Sequence, residues 1–275
     1  MKLHSLLHTL RSFIPPIHLR SARQSPTFVF SCLALVILGP LLLPGHIFAL
    51  DSSLAVNQNI SGYFWNTSDG AKSVLAGHYN SAPIAMLFNL FDIFLPFWLV
   101  EKVWLFLILT LAGVGAYKLP NLLGIGRFYA GVFYMLNPFA YTRFITGQWG
   151  LLGAYAIAPF ALTSFINLLE CPSGRNAAKT AFLVTVIGFM QIHGLGLIFL
   201  LFTFIYISHC LKNRRSFRTT APFFCLTTII FIGINLFWIV RYTASTASSI
   251  DMMNSSDLTF FAVSSPLDAL SLRGF

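Results

Sequence analysis

Apolar residues along this chain come in long runs, and the short polar breaks between the runs define the predicted elements. The first run, Phe28 to Leu50, has about the length needed to cross a hydrocarbon core of roughly 30 Å, and it ends on Asp51. A polar interval from residue 51 to about 82 follows, carrying Asp69, His78 and the aromatics Tyr63, Phe64, Trp65 and Tyr79. Between Pro83 and Trp98, the spacing of Met86, Leu87, Leu90, Phe91 and Phe94 around Asn89 and Asp92 predicts an amphipathic helix along the membrane interface. Later runs predict spans at about 98–119, 128–142 and 151–169, separated by Pro120, by the stretch Arg143 to Gly150 and by Pro172-Ser173-Gly174.

The run at 180–211 is long for one helix and is interrupted by Gln191-Ile192-His193-Gly194-Leu195-Gly196. A hairpin broken there has halves that reach only roughly 21 to 24 Å at 1.5 Å per residue. Its apex is therefore expected below the outer surface, with Gln191 and His193 facing a wet cavity, because irregular backbone is not tolerated against lipid. A last span is predicted at about 219–240, which brings the crossings to about seven within a bundle over 28–241. Residues 1–27 read as a cytoplasmic lead and 242–275 as an extracytoplasmic segment. The polar tail stops at Leu272-Arg273-Gly274-Phe275, so the chain is expected to be the front of a longer protein, or one half of a split one.

Composition fixes the class. With 56% hydrophobic and 9% charged residues, the chain is not an ordinary soluble domain, in which roughly 25% are charged. Its 17 Lys and Arg against 8 Asp and Glu form no stripe that could follow a phosphate backbone, so nucleic acid is not an expected partner. The basic residues instead orient the bundle. With the hairpin, Lys212, Arg214, Arg215 and Arg218 join the lead, Lys118, Arg127, Arg175 and Lys179 on one face, which the positive-inside rule makes cytoplasmic. A single long helix would put the densest basic cluster outside. Cys32, Cys171, Cys210 and Cys225 have no C-x-x-C spacing and read as small apolar residues.

Candidate chemistry collects at the outer face. Asp51 ends the first span, His78 lies in the first loop, Arg143 with Gln148 and Trp149 in the second, His193 at the sunken apex and Arg241 at the exit of the last span. An arginine just outside the hydrocarbon can hold a phosphate, and a nearby acid can act as general base toward a hydroxyl. Each residue also has a plainer role. Arg143 and Arg241 can snorkel to headgroups, Trp149 can belong to an aromatic belt, His78 can be an ordinary loop histidine, and Asp51 can merely solvate a helix end. The residues themselves demand no cofactor, and a divalent cation stays open.

The order of elements, together with Ala49-Leu50-Asp51, Asn137-Pro138-Phe139-Ala140-Tyr141, Gly147-Gln148-Trp149, the Gln191 to Gly196 break and Asn235-Leu236-Phe237-Trp238, resembles the N-terminal module of GT-C class membrane glycosyltransferases. The likeness is to arabinofuranosyltransferases of mycobacterial walls and to YfhO-like polytopic proteins. It implies an all-α, GT-C-like transmembrane helix bundle in the cell membrane, serving the cell envelope. The donor it implies is a polyprenyl-phosphate sugar, the acceptor an extracytoplasmic glycan or lipid, and Asp51, matched by position, the catalytic base. The chain departs from the pattern in having no D-x-D or D-x-E pair in its first loop. Two other readings use the same outer cavity: a flippase for a lipid-linked saccharide, which needs no base, and a non-catalytic assembly partner for a second subunit.

Overall fold

The computed structural model describes residues 25–47, 79–119, 126–212 and 214–244, and all the helices named below lie within them. Helix α1, Pro26–Leu38, opens on a proline whose missing N–H costs nothing at the first helical position. It gives way at Gly39-Pro40 to a 3-10 turn, Gly39–Leu42. Within the described residues the run expected to span at 28–50 is interrupted: Pro40 cannot continue the ladder, and the 13 residues of α1 reach only about 20 Å.

Helix α2, Ala82–Asp92, is the amphipathic segment the sequence predicts. It buries Ala82, Ala85 and Phe88 and leaves Met86, Leu90 and Phe91 exposed. Just ahead of it, buried Asn80 donates from Nδ2 to the Gly188 carbonyl at 2.6 Å. Helix α3, Phe97–Lys118, follows Pro96 and runs the length of the bundle.

The span expected at 128–142 is two helices, α4 (Arg127–Leu136) and α5 (Pro138–Thr146). Asn137 makes the break. Its extended backbone lets Oδ1 accept from the Ala140 N–H at 3.0 Å, while Nδ2 donates to the Phe133 and Tyr134 carbonyls, so one side chain caps both helices. Tyr155 braces the joint. Its ring stacks on Tyr134 at 3.9 Å, each hydroxyl donates to the other's main-chain carbonyl at 3.0 Å, and Asn137 donates to the Tyr155 hydroxyl at 2.6 Å. Tyr155→Phe should therefore cost about 1–3 kcal/mol by leaving these partners unpaired. Thermal unfolding in detergent checks it, with Tyr129→Phe on an exposed face as the neutral control.

Helix α6, Trp149–Glu170, is the shared wall of two cores. Trp149, Leu152 and Ala156 pack with α1, α3 and α4, where Phe30 closes over the glycine backbones of Gly113 and Gly131. Ala161, Phe165 and Leu168 pack with α7 (Gly174–Met190), α8 (Ile192–Lys212) and α9 (Arg214–Ala244). Buried polar pairs tie this second group together: Ser164 with Thr180 at 2.9 Å, Asn235 Nδ2 to Thr185 at 2.8 Å, and Trp238 Nε1 to Asn235 Oδ1 at 2.7 Å. Between transmembrane helices such bonds replace the hydrophobic driving force that lipid removes.

The expected break in the 180–211 run falls at Gln191, the single residue between α7 and α8. Both helices are longer than the expected halves, with 17 and 21 residues, because α7 begins at Gly174 behind the Ser173 cap. Among the described residues, α3, α6, α8 and the stretch Phe217–Val240 of α9 are long and apolar enough to cross a membrane. Their alternation carries Lys118, Arg175, Lys179 and Lys212 to the end of the bundle opposite the α5–α6 and α7–α8 turns.

Candidate functional site

Those two turns meet in a cleft of about 450 Å³ lined by Arg143, Gly147, Gln148, Trp149, Gly150, Leu151, Gln191 and His193. Local sequence explains the meeting. Gly147, in the left-handed conformation at φ 81°, closes α5 and lets α6 start two residues later. At Gly150, an added Cβ would stand 2.8 Å from the Met190 carbonyl oxygen. A glycine there allows the α7–α8 turn to rest on the first turn of α6.

Helices α6 and α8 begin at the cleft while α5 and α7 end at it, so the partial charges of the helix ends oppose one another and the cleft's positive charge comes from a side chain. Arg143 supplies that charge. Its Nη1 donates to Gln148 Oε1 at 2.8 Å, its guanidinium carbon lies 5.7 Å from the Phe139 ring centroid, and its Nε is buried with no protein acceptor. No carboxylate stands among the described residues that line the cleft. The arrangement can bind an anion through the Arg143 guanidinium.

The neighbouring side chains are fixed in turn. Trp149 is buried, donating from Nε1 to the Phe144 carbonyl at 3.3 Å, so it is a wall of the cleft and a brace on α5 rather than a member of an interfacial belt. Gln191 Nε2 lies 3.1 Å from His193 Nδ1, which leaves the Nε2 edge of the imidazole for another partner.

Leu151 also lines an apolar groove of about 180 Å³ between α6 and α8, walled by Phe139, Ala154, Tyr155, Ala158, Ile187 and Ile198. Its rim residues Leu197 and Leu201 are 67% and 40% exposed, so the groove opens sideways, where lipid would lie.

Of the residues singled out in the sequence, Arg143, Gln148, Trp149 and His193 are brought together. Asp51 and His78 lie outside the described residues. Arg241 sits in α9 one turn beyond Phe237, which packs on Phe189 of α7 with ring centroids 6.2 Å apart, and its side chain lies outside the description. Gln191 belongs to the cleft, although the sequence marks it only as a polar apex residue. A second feature carries no expectation from the sequence: Glu101 and Lys102, one turn inside the span at about 98–119, are 2% and 4% exposed. The available signal was a charged pair one turn inside an apolar helix. No group of three His, Cys, Asp or Glu suited to a metal ion occurs among the described residues.

Residues 79–264, more than half of the chain, match the family model described as "Alpha-(1->3)-arabinofuranosyltransferase, N-terminal GT-C domain". The matched region contains Arg143, Gln148, Trp149, His193 and Arg241, whereas Asp51 and His78 precede it. No curated protein and no solved structure matches the chain.

Proposed function

This chain belongs to the family of arabinofuranosyltransferase N-terminal GT-C domains, membrane glycosyltransferases, and on that premise we propose that it moves a sugar from a polyprenyl-phosphate donor to an extracytoplasmic glycan or lipid acceptor. The family's description makes an α-linked arabinofuranosyl unit the first sugar to try. One observation carries the reading: a cleft bearing Arg143 shares Leu151 with an apolar groove open to the side. A lipid phosphate has that same polarity, with a compact anion joined to a long hydrocarbon chain.

In this reading the Arg143 guanidinium holds the phosphate beside the first turns of α6 and α8, and the prenyl tail leaves along the α6–α8 groove. Gln191 and His193 offer neutral donors and acceptors to sugar hydroxyls. Transfer breaks the bond from the anomeric carbon to the phosphate oxygen and forms one from that carbon to the acceptor oxygen. The acceptor's proton passes to the Asp51 carboxylate. Charge accumulates on the departing polyprenyl phosphate, where Arg143 is placed to stabilise it. Arg241 is proposed as a second ligand of the donor phosphate and His78 as a substrate-binding residue.

Proteoliposomes loaded with polyprenyl-phosphate arabinofuranose and an arabinan acceptor test the proposal. Free polyprenyl phosphate and a lengthened acceptor should appear together. Movement of intact donor across the bilayer with no cleavage would overturn it in favour of a flippase.

A further inference from the structure

We infer that Glu101 and Lys102 are positioning residues: they clasp the stem of the first loop at residues 45–47 and fix the point from which that loop works. The inference rests on the transfer reading above, because it concerns the loop to which Asp51 belongs. Two adjacent charges buried in an apolar helix are costly unless fully partnered. Here their partners are on three consecutive residues of a distant segment. Glu101 Oε2 accepts from the Ile47 N–H at 3.0 Å and lies 3.9 Å from His46 Nδ1. Lys102 Nζ donates to the Gly45 carbonyl at 2.5 Å and sits 5.2 Å from the Trp98 ring centroid.

The stem is shaped to be gripped. Gly45 has φ 121°, a conformation that L side chains rarely adopt, and it presents its carbonyl to Lys102 just after Pro44. A hydrophobic pair of similar volume would stabilise the helix packing as well or better, so the ions are better explained by what they hold. Asp51 is four residues past Ile47, and four residues span at most about 14 Å. Fixing Ile47 therefore fixes the anchor of that tether. The helix that carries the clasp also packs against α6. Trp104, two residues beyond Lys102, has its ring 3.4 Å from the point where a Cβ on Gly153 would stand, one turn along α6 from Gly150.

Glu101→Gln and Lys102→Met keep side-chain volume and remove the grip. Each should lower kcat by about 10²-fold, the cost of misplacing a reacting group by about an ångström, with KM for polyprenyl-phosphate arabinofuranose unchanged. Lys102→Arg should recover most of the loss. A buried-charge variant can fail to fold, so Gly45→Ala supplies the same test from the exposed stem and should show the same kcat-selective loss. Unchanged kcat in Glu101→Gln and Gly45→Ala, or a fall in kcat matched by a rise in KM, would overturn the clasp. A second readout does not depend on turnover. With the four native cysteines replaced, spin labels at Ser53→Cys and Thr146→Cys should give a distance distribution that broadens in Glu101→Gln. An identical distribution overturns the clasp whatever the wild type transfers, whereas absence of transfer by the wild type counts against the functional reading instead.

Discussion

Replacing Arg143 by glutamine is expected to weaken donor binding by about 10- to 100-fold, the worth of a hydrogen bond to a charged group lost from a cleft with no second arginine among its described lining residues. Gln148 would keep a partner of similar polarity, since Arg143 Nη1 is its donor at 2.8 Å and a glutamine amide can replace that bond. The effect should therefore appear in ligand affinity and not in stability. Because charge develops on the departing phosphate, kcat should fall as well as KM rise. Arg143→Lys should recover only part of the loss, since a point charge cannot reproduce the planar fork or its stacking beside Phe139. Titration of purified protein with polyprenyl phosphate checks the affinity change, with Arg175→Gln at the opposite end of the bundle as the control.

Asp51→Asn is expected to have the larger effect on turnover and almost none on binding. Loss of a positioned general base lowers rates by about 10²–10⁴-fold, while the phosphate contacts of the cleft stay in place. The pattern is the reverse of that at Arg143. Single-turnover transfer from a labelled donor separates the two, because donor capture should be normal in Asp51→Asn and impaired in Arg143→Gln. A flippase would carry the Asp51→Asn substitution with little change in donor movement, so equal rates in the two proteins would remove the carboxylate from the mechanism.

Much of the bundle was legible because lipid imposes long apolar segments. Helices α3 and α6 lie within two residues of the runs that predict them, and α2 begins as expected but stops at Asp92. The errors fall where a short motif overrides apolar length. Gly39-Pro40 stops α1, and Asn137-Pro138 splits an apparent span into α4 and α5, with a cap that satisfies the freed backbone groups from within.

The cleft was partly legible for a related reason. Arg143, Gln148, Trp149 and His193 interrupt apolar runs at predicted turns, and topology places those turns at one end. That Gln191 completes the lining follows from the single-residue link between α7 and α8, and hydropathy does not register so tight a turn. Glu101 and Lys102 carry no expectation from the sequence because two charges near a helix end look solvated. Only the approach of residues 45–47, more than fifty positions away in sequence, buries them.

The central claim is that the cleft of Arg143 holds the phosphate of a lipid-linked sugar, and a structure of the protein with a non-hydrolysable polyprenyl-phosphate arabinofuranose analogue tests it most directly. The phosphate should lie within hydrogen-bond distance of the Arg143 guanidinium, with the first prenyl units in the groove between Leu151 and Ile198. A phosphate found away from Arg143, for example with its chain in the apolar groove beneath α2 formed by Phe88, Phe91 and Trp104, would contradict the account.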